Sequence, residues 1–381
     1  MSTTEPYTTK TLTQAERSDL AYDLQGTLKH KRSGIMAIWA YMNGGKEPLE
    51  RLFRKENYHG EKEKPYIAEI ARKLARSDSF PKRNISLMDL GHGMASEKII
   101  SFIDAFNIAA NENLADGEAP SNRFLEVIGI DIVPQYGEDF REKLSAYFED
   151  VAHNYGGRPI SVRTVTKKYS DISEPLEVEG DAVMASFNTP LWNSPLNIED
   201  MTPADILPKA LKYAARIVDQ GGHIVTNHYI SGADDDALYD SADCRDAIAA
   251  ILKLIQNELE PVCYRNDGKP ESEREYVPFS QCFNYKTFYD ADTNTRRMDV
   301  VSKDDFIVEI GDHFYKTMDK NEPFCLVSAA KLNKKDFEQH VKKAGIFEQP
   351  KADHRIAMRD EANSEIFGYS CAIQVNHSPE L

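Results

Sequence analysis

The stretch "MDLGHGMASEK", residues 88–98, decides how the rest of the chain is read. An apolar segment closes on an acid, Asp89, then turns through Gly91 and Gly93 into what reads as a helix. Glycines at such a turn let the backbone bend sharply and bring its N–H groups close to a ligand. By itself Gly-x-Gly does not name the ligand. A dinucleotide fingerprint needs a third glycine, and that position is Ser96; its ribose-binding acid should follow about 20 residues on. Here the acid closing the second strand is Asp131, in "EVIGIDIV", beyond a long polar loop. A phosphate-cradling loop would need Gly-Lys-Ser/Thr, which is absent. S-adenosylmethionine remains: it carries no phosphate, and its ribose diol needs a carboxylate at the end of the second strand. Asp131 suits that role, with Ile132 beside it facing the adenine. A helix N-cap or turn role for Asp131 is the structural alternative. Asp89, Gly91, His92 and Gly93 would line the methionine end, with the His92 ring pointing outward.

Around this turn the pattern is α/β. Five short apolar segments, "ISLMDL" (85–90), "FLEVIGI" (124–130), "SVRTV" (161–165), "DAVMAS" (181–186) and "GHIVTN" (222–227), alternate with helical ones. That grammar predicts a parallel sheet covered by helices on both faces. Residues 203–219 read as a crossover helix ending at Gly221 and Gly222. Before the sheet, Thr13 and Glu16 form a capping box for a helix over 13–29. A second helix starts near Pro65 and places Ile67, Ile70, Ala71 and Leu74 on one face. The tracts 111–122 and 260–278 are polar and turn-rich and read as loops. After a helix over 240–258 the pattern becomes an antiparallel meander, and a last helix and a last strand, "GYSCAIQV", resume the sheet.

Composition narrows the partners. The chain has 381 residues, 41% of them hydrophobic, which is ordinary for a globular protein. Its formal charge of −16 argues against nucleic acid and anionic membrane surfaces. No apolar run reaches the ~18 residues needed to span a membrane. The opening residues lack a signal-peptide layout, and five scattered cysteines suggest reduced thiols, so a cytoplasmic location is expected. No CxxC, HxH or HxxxH pattern points to a metal. The scattered histidines, His59, His92, His223, His228 and His313, read as surface or packing residues, with His228 just past the fifth strand nearest the expected site. Oligomeric state is not legible.

The fourth strand runs into "ASFNTPLWN" (185–193), where Asn188, Pro190 and Trp192 loosely echo the Asn-Pro-Pro-aromatic motif of amino-directed methyltransferases. A plain strand-exit turn reads as well. With the second half included, the chain resembles the histidine-specific Nα-methyltransferases of the ergothioneine pathway. "LAYDLQGTLKHK" (20–31) is similar to the family's opening helix, and "AYMNGGKEPLERLF" (40–53) to its Tyr-Asp-x-x-Gly-Ser-x-Leu-Phe segment. "KENYHGEKEKPYIAEIA" (55–71) is similar to Glu-Tyr-Tyr-Pro-Thr-Arg-x-Glu. "MDLGHGMASEK" resembles Glu-Leu-Gly-Ser-Gly-x-x-x-Lys, with the lysine displaced by one place to Lys98. Residues 283–302 and 329–346 resemble the family's hairpin and final helix.

The resemblance implies a Rossmann-like class I methyltransferase sheet plus a substrate lobe made of an N-terminal helical cap and an α+β insertion. The boundaries would be a cap over 1–65, a methyltransferase core over 66–230, an insertion over 231–331, and the core's final helix and strand over 332–381. It implies S-adenosylmethionine as cofactor and a small amine or amino acid as substrate. Tyr41 and Tyr58 fall where family tyrosines line the amino-acid pocket, with packing of the cap as the alternative for each. Tyr58 would also hold the amine and relay its proton. Asn188 or Asn193 would grip the amino-acid moiety, and which of the two stays open. The family's Glu and Ser that read histidine become Val327 and Ala329 in "CLVSAAKL" (325–332), with Lys331 matched. A buried imidazole would lose two polar partners there, at ~1–3 kcal/mol each, so histidine is not the expected acceptor. Two other readings stay open: a non-catalytic relative that binds S-adenosylmethionine or a protein partner, and transfer of the aminocarboxypropyl group, as nicotianamine synthases do.

Overall fold

The structure is a computed structural model. It describes residues 12–30, 62–93, 96–112, 120–154, 160–187, 203–230, 239–291, 294–311, 314–347, 354–360 and 364–376. The chain divides into two compact units, one of 1–58, 197–200 and 232–330, the other of 59–196, 201–231 and 331–381.

The chain begins in the first unit with α1, Gln14–His30. The second unit then receives α2 (Lys64–Arg76), β1 (Ile85–Leu90), α3 (Ser96–Asn111), β2 (Phe124–Asp131), α4 (Pro134–Asn154) and β3 (Ser161–Thr166). It continues with β4 (Asp181–Ser186), α5 (Pro203–Val218) and β5 (His223–Tyr229). The chain returns to the first unit for α6 (Ala242–Leu259), β6 (Val262–Arg265), β7 (Phe283–Asp290), β8 (Thr295–Ser302), β9 (Phe306–Ile310), β10 (Phe314–Met318) and β11 (Pro323–Ala330). It ends in the second with α7 (Lys334–Ala344), β12 (Arg355–Arg359) and β13 (Ile366–Gln374).

The second unit is the expected α/β sheet. Its seven strands lie in the order β12-β13-β5-β4-β1-β2-β3. The pairs β1–β2, β2–β3, β1–β4 and β4–β5 are parallel, while β13 runs antiparallel to both β5 and β12. The succession reverses at β1, which has β2 on one side and β4 on the other, and ligands of doubly wound sheets collect outside the carboxyl ends at such a point. Every residue of β1 and of β5 is buried, as a strand covered on both faces requires. Helix α2 buries Ile67, Ile70, Ala71 and Leu74 in this unit's core together with Phe102 and Phe106 of α3 and Phe124 of β2. Asn333 caps α7 by accepting the Asp336 N–H at 3.0 Å, and Gly345 ends that helix in the left-handed region.

The first unit holds two small antiparallel sheets, β10-β9-β6 and β11-β8-β7. Leu20, Leu24 and Leu28 of α1 and Ile248, Ile251 and Ile255 of α6 share its core with Phe283, Val300 and Phe324. The predicted capping box forms: the Thr13 N–H donates to Glu16 Oε2 at 2.7 Å and the Glu16 N–H to Thr13 Oγ1 at 3.3 Å.

Two strands depart from the sequence reading. The tract expected to be a loop over 260–278 contains β6, which pairs with β9; four residues inside a polar run carry too little pattern to read. Strand β12 was likewise not expected, and it forms the sheet's edge beyond β13.

Candidate functional site

The turn after β1 is built by two residues in the left-handed region, Gly91 at φ 65° and Gly93 at φ 53°. Glycine adopts that conformation without steric cost, which is why both positions carry it. The Gly91 N–H donates to the Ile130 carbonyl at 2.7 Å, strapping the turn to the end of β2. The Gly93 N–H donates to Asp131 Oδ2 at 3.0 Å. Asp131 Oδ1 accepts the Val133 N–H at 2.9 Å, and the Asp131 carbonyl accepts the Lys167 N–H at 3.0 Å. One acid therefore joins the glycine turn, the approach to α4 and the exit from β3. The turn role weighed for Asp131 is thus present, and each oxygen keeps lone-pair capacity beyond its one backbone bond. Asp131 is half-buried, as is Ile132 beside it.

The His92 ring does not point outward, contrary to expectation. It is buried, stacks on Phe140 of α4 at 4.3 Å between centroids, and sets Nδ1 3.0 Å from the Gly93 carbonyl. The stack lies over Gly129 of β2, where an added Cβ would come within 2.7 Å of His92 Cδ2 and 2.8 Å of Phe140. Burial holds the imidazole below its ordinary pKa, against the pull of the Asp131 charge. His92 is thus a neutral floor beneath the turn, donating Nδ1–H to the carbonyl.

Asp89 lies at 5% exposure at the end of β1. Burial, reinforced by the charge of Asp131 and partly offset by Lys98, lifts its carboxyl well above the usual carboxylate range. No hydrogen bond to that carboxyl comes from the described residues. The site thus brings together two acids, and burial together with the charge of one disfavours ionisation of the other.

Lys98, the lysine displaced from the family spacing, is buried in the first turn of α3 and pairs with Glu63 Oε1. Glu63 is fully buried, and its Oε2 accepts from Asn227 Nδ2 and the Tyr229 hydroxyl, each at 2.5 Å. This cluster was missed by the sequence reading. A glutamate just before a helix-starting proline reads as a surface residue, and no local pattern ties it to β5.

Of the other candidates, Tyr41, Tyr58, Asn188 and Asn193 lie outside the described residues. Val327 and Ala329 fall in β11, opposite Met298 and Arg296 of β8 in the ladder. His223 and His228 are buried packing residues. The first stacks edge-on to Phe80, and the second lies flat on Phe337 at 4.5 Å. All five cysteines are buried free thiols. Among the described residues no group of three His, Cys, Asp or Glu side chains could hold a metal, and no helix is long and apolar enough to cross a membrane.

No protein-family model matches the chain, and no curated protein matches it in sequence. Solved structures do resemble it. An S-adenosylmethionine-dependent methyltransferase from Clostridium acetobutylicum is 11% identical over 87% of this chain and 99% of its own, with a TM-score of 0.40. The CcbJ methyltransferase from Streptomyces caelestis is 12% identical over 82% of this chain and 95% of its own, at 0.35. The CurJ carbon methyltransferase is 13% identical over 95% of this chain and 67% of its own, at 0.39.

Proposed function

We propose that the chain is an S-adenosylmethionine-dependent methyltransferase acting on the amine of a small amino-acid-like molecule other than histidine. The observation that carries this is the meeting of Asp89 and Asp131 at a glycine turn that lacks a third glycine. The Asp131 charge, with a second acid beside it that a cation would help to ionise, disfavours phosphate and favours a cationic ligand, and S-adenosylmethionine brings an ammonium, a sulfonium and a ribose diol. Asp131 has acceptor capacity left for the diol, and the turn presents backbone to the methionine end. A cationic group near Asp89 would offset the burial and the like charge that disfavour its ionised form. The reversed strand β13, set between β5 and β12, also distinguishes this sheet from the dinucleotide-binding order 3-2-1-4-5-6.

Bound there, the cofactor would supply an electrophilic methyl group. The chain's own part is to hold a neutral amine about 3 Å from that methyl and to exclude water, with no metal required. By the resemblance, Tyr58 holds the amine and passes its proton to water, and Tyr41 lines the same pocket with Asn188 or Asn193 on the amino-acid moiety. Val327 and Ala329 take the place of polar readers, which favours an acceptor with an apolar group at that point.

Calorimetry with S-adenosylmethionine and S-adenosylhomocysteine tests the cofactor reading, and absence of binding by both sinks it. Screening amines for S-adenosylhomocysteine release tests the activity. Binding without turnover of any amine supports a non-catalytic relative, and release of methylthioadenosine supports aminocarboxypropyl transfer. Tyr58→Phe should lower kcat with little change in cofactor affinity.

A further inference from the structure

Gly93 is gripped at both ends of its own backbone. Its N–H donates to Asp131 Oδ2 at 3.0 Å, and its carbonyl lies 3.0 Å from His92 Nδ1. A carbonyl oxygen only accepts, so the imidazole proton at that bond sits on Nδ1. The donating ring is itself held in place. It stacks on Phe140 of α4 with 29° between the ring planes, and Gly129 of β2 leaves room for both rings, which an added Cβ would meet. A glycine at φ 53° has no strong preference for that conformation, so alone it would sample both signs of φ. Hydrogen bonds from opposite ends select one state: Asp131 takes the N–H and His92 meets the carbonyl.

We infer that His92 is a positioning residue of the candidate cofactor site: by donating Nδ1–H to the Gly93 carbonyl, it fixes the left-handed glycine whose N–H orients the Asp131 carboxylate. The inference rests on reading this turn as the cofactor site. In this role His92 touches no cofactor. Its effect passes through Gly93 to Asp131 Oδ2, while the Val133 N–H holds Oδ1 at 2.9 Å. The remaining lone pairs of the carboxylate then keep a set direction for a ribose diol. A site ordered before its ligand arrives binds more tightly, because less ordering is left to do on binding.

Packing alone is the competing role, and side chains separate the two. Phenylalanine keeps an aromatic ring on Phe140 but has no donor. Asparagine loses the ring yet places an amide nitrogen where Nδ1 stands. A positioning role makes His92→Asn the milder change and His92→Phe the severe one. A packing role reverses that order.

The tests use the full-length chain. Nitrogen-15 NMR of the histidine rings without ligand, with the His92 signal assigned by His92→Asn, should place a proton on Nδ1. A bare Nδ1 overturns the proposal. Hydrogen exchange at the Gly93 amide, also without ligand, should quicken about tenfold in His92→Phe and stay within about threefold of wild type in His92→Asn. Calorimetry with S-adenosylhomocysteine should show the same order, with His92→Phe weakened about tenfold and His92→Asn within about threefold. The reverse order in either measurement, or no change in His92→Phe, overturns the proposal. If His92→Phe does not fold, His92→Leu, which also fills space without a donor, replaces it with the same expected outcome. Absence of binding by the wild-type chain sinks the cofactor reading; the ligand-free exchange and ring-proton results separately support or overturn the hold of His92 on Gly93.

Discussion

Asp131 Oδ2 accepts the Gly93 N–H at 3.0 Å, so the acid that closes β2 also shapes the turn that follows β1. Asp131→Ala removes this bond and the one to Val133, and with them the acceptor expected for the ribose diol. Two charge-assisted bonds of ~1.5 kcal/mol each correspond to about a hundredfold in affinity. Calorimetry should show S-adenosylhomocysteine binding weakened by at least that much. Unchanged affinity would place the ribose elsewhere.

Gly129→Ala is expected to destabilise by ~1–3 kcal/mol, because its Cβ would press on both rings of the His92–Phe140 stack. Urea denaturation measures it. The cost should shrink on a His92→Ala background, where half of the obstruction is gone. Equal cost on both backgrounds would mean that Phe140 alone resists the methyl group.

Acid should unfold the protein partly through two imidazoles. Burial lowers His223 and His228 from 6.5 to about 4. Each is a base with a depressed folded pKa, so its contribution is intact above pH 6.5 and is lost as pH falls toward 4. The limit for each is ~3 kcal/mol below that pH. Thermal midpoints recorded from pH 7 down to 4 should fall, and His228→Phe should flatten the curve. An unchanged slope in that variant would remove His228 from the account.

Asp89 acts in the opposite sense. Its folded pKa is raised, so its contribution is intact below the ordinary value of 3.8 and is lost as pH rises through the folded value. Asp89→Asn should therefore raise the thermal midpoint at neutral pH and above, while weakening binding of S-adenosylmethionine. A variant less stable than wild type at pH 8 would contradict the burial argument.

The α/β sheet was legible because most of its parallel strands carry short apolar, β-branched runs, and β1 and β5 are buried over their full length. Strands β6 and β12 escaped notice because short strands in polar surroundings carry no such run. At the turn, Gly91, Gly93 and Asp131 could be read, since left-handed backbone and a strand-closing acid leave local marks. The His92 ring was misread: its direction depends on Gly129 and Phe140, neither of which adjoins it in sequence.

By itself the sequence determined the alternation of strand and helix, the glycine turn and the acid that meets it, because each follows from burial pattern or backbone conformation within a few residues. Only the tertiary structure decided that His92 lies beneath the turn and that Glu63 pairs with Lys98. The physical reason is range. Desolvation and charge pairing act between groups that folding brings together, and Glu63, Asp89, Lys98 and Tyr229 come from four separate elements or their approaches.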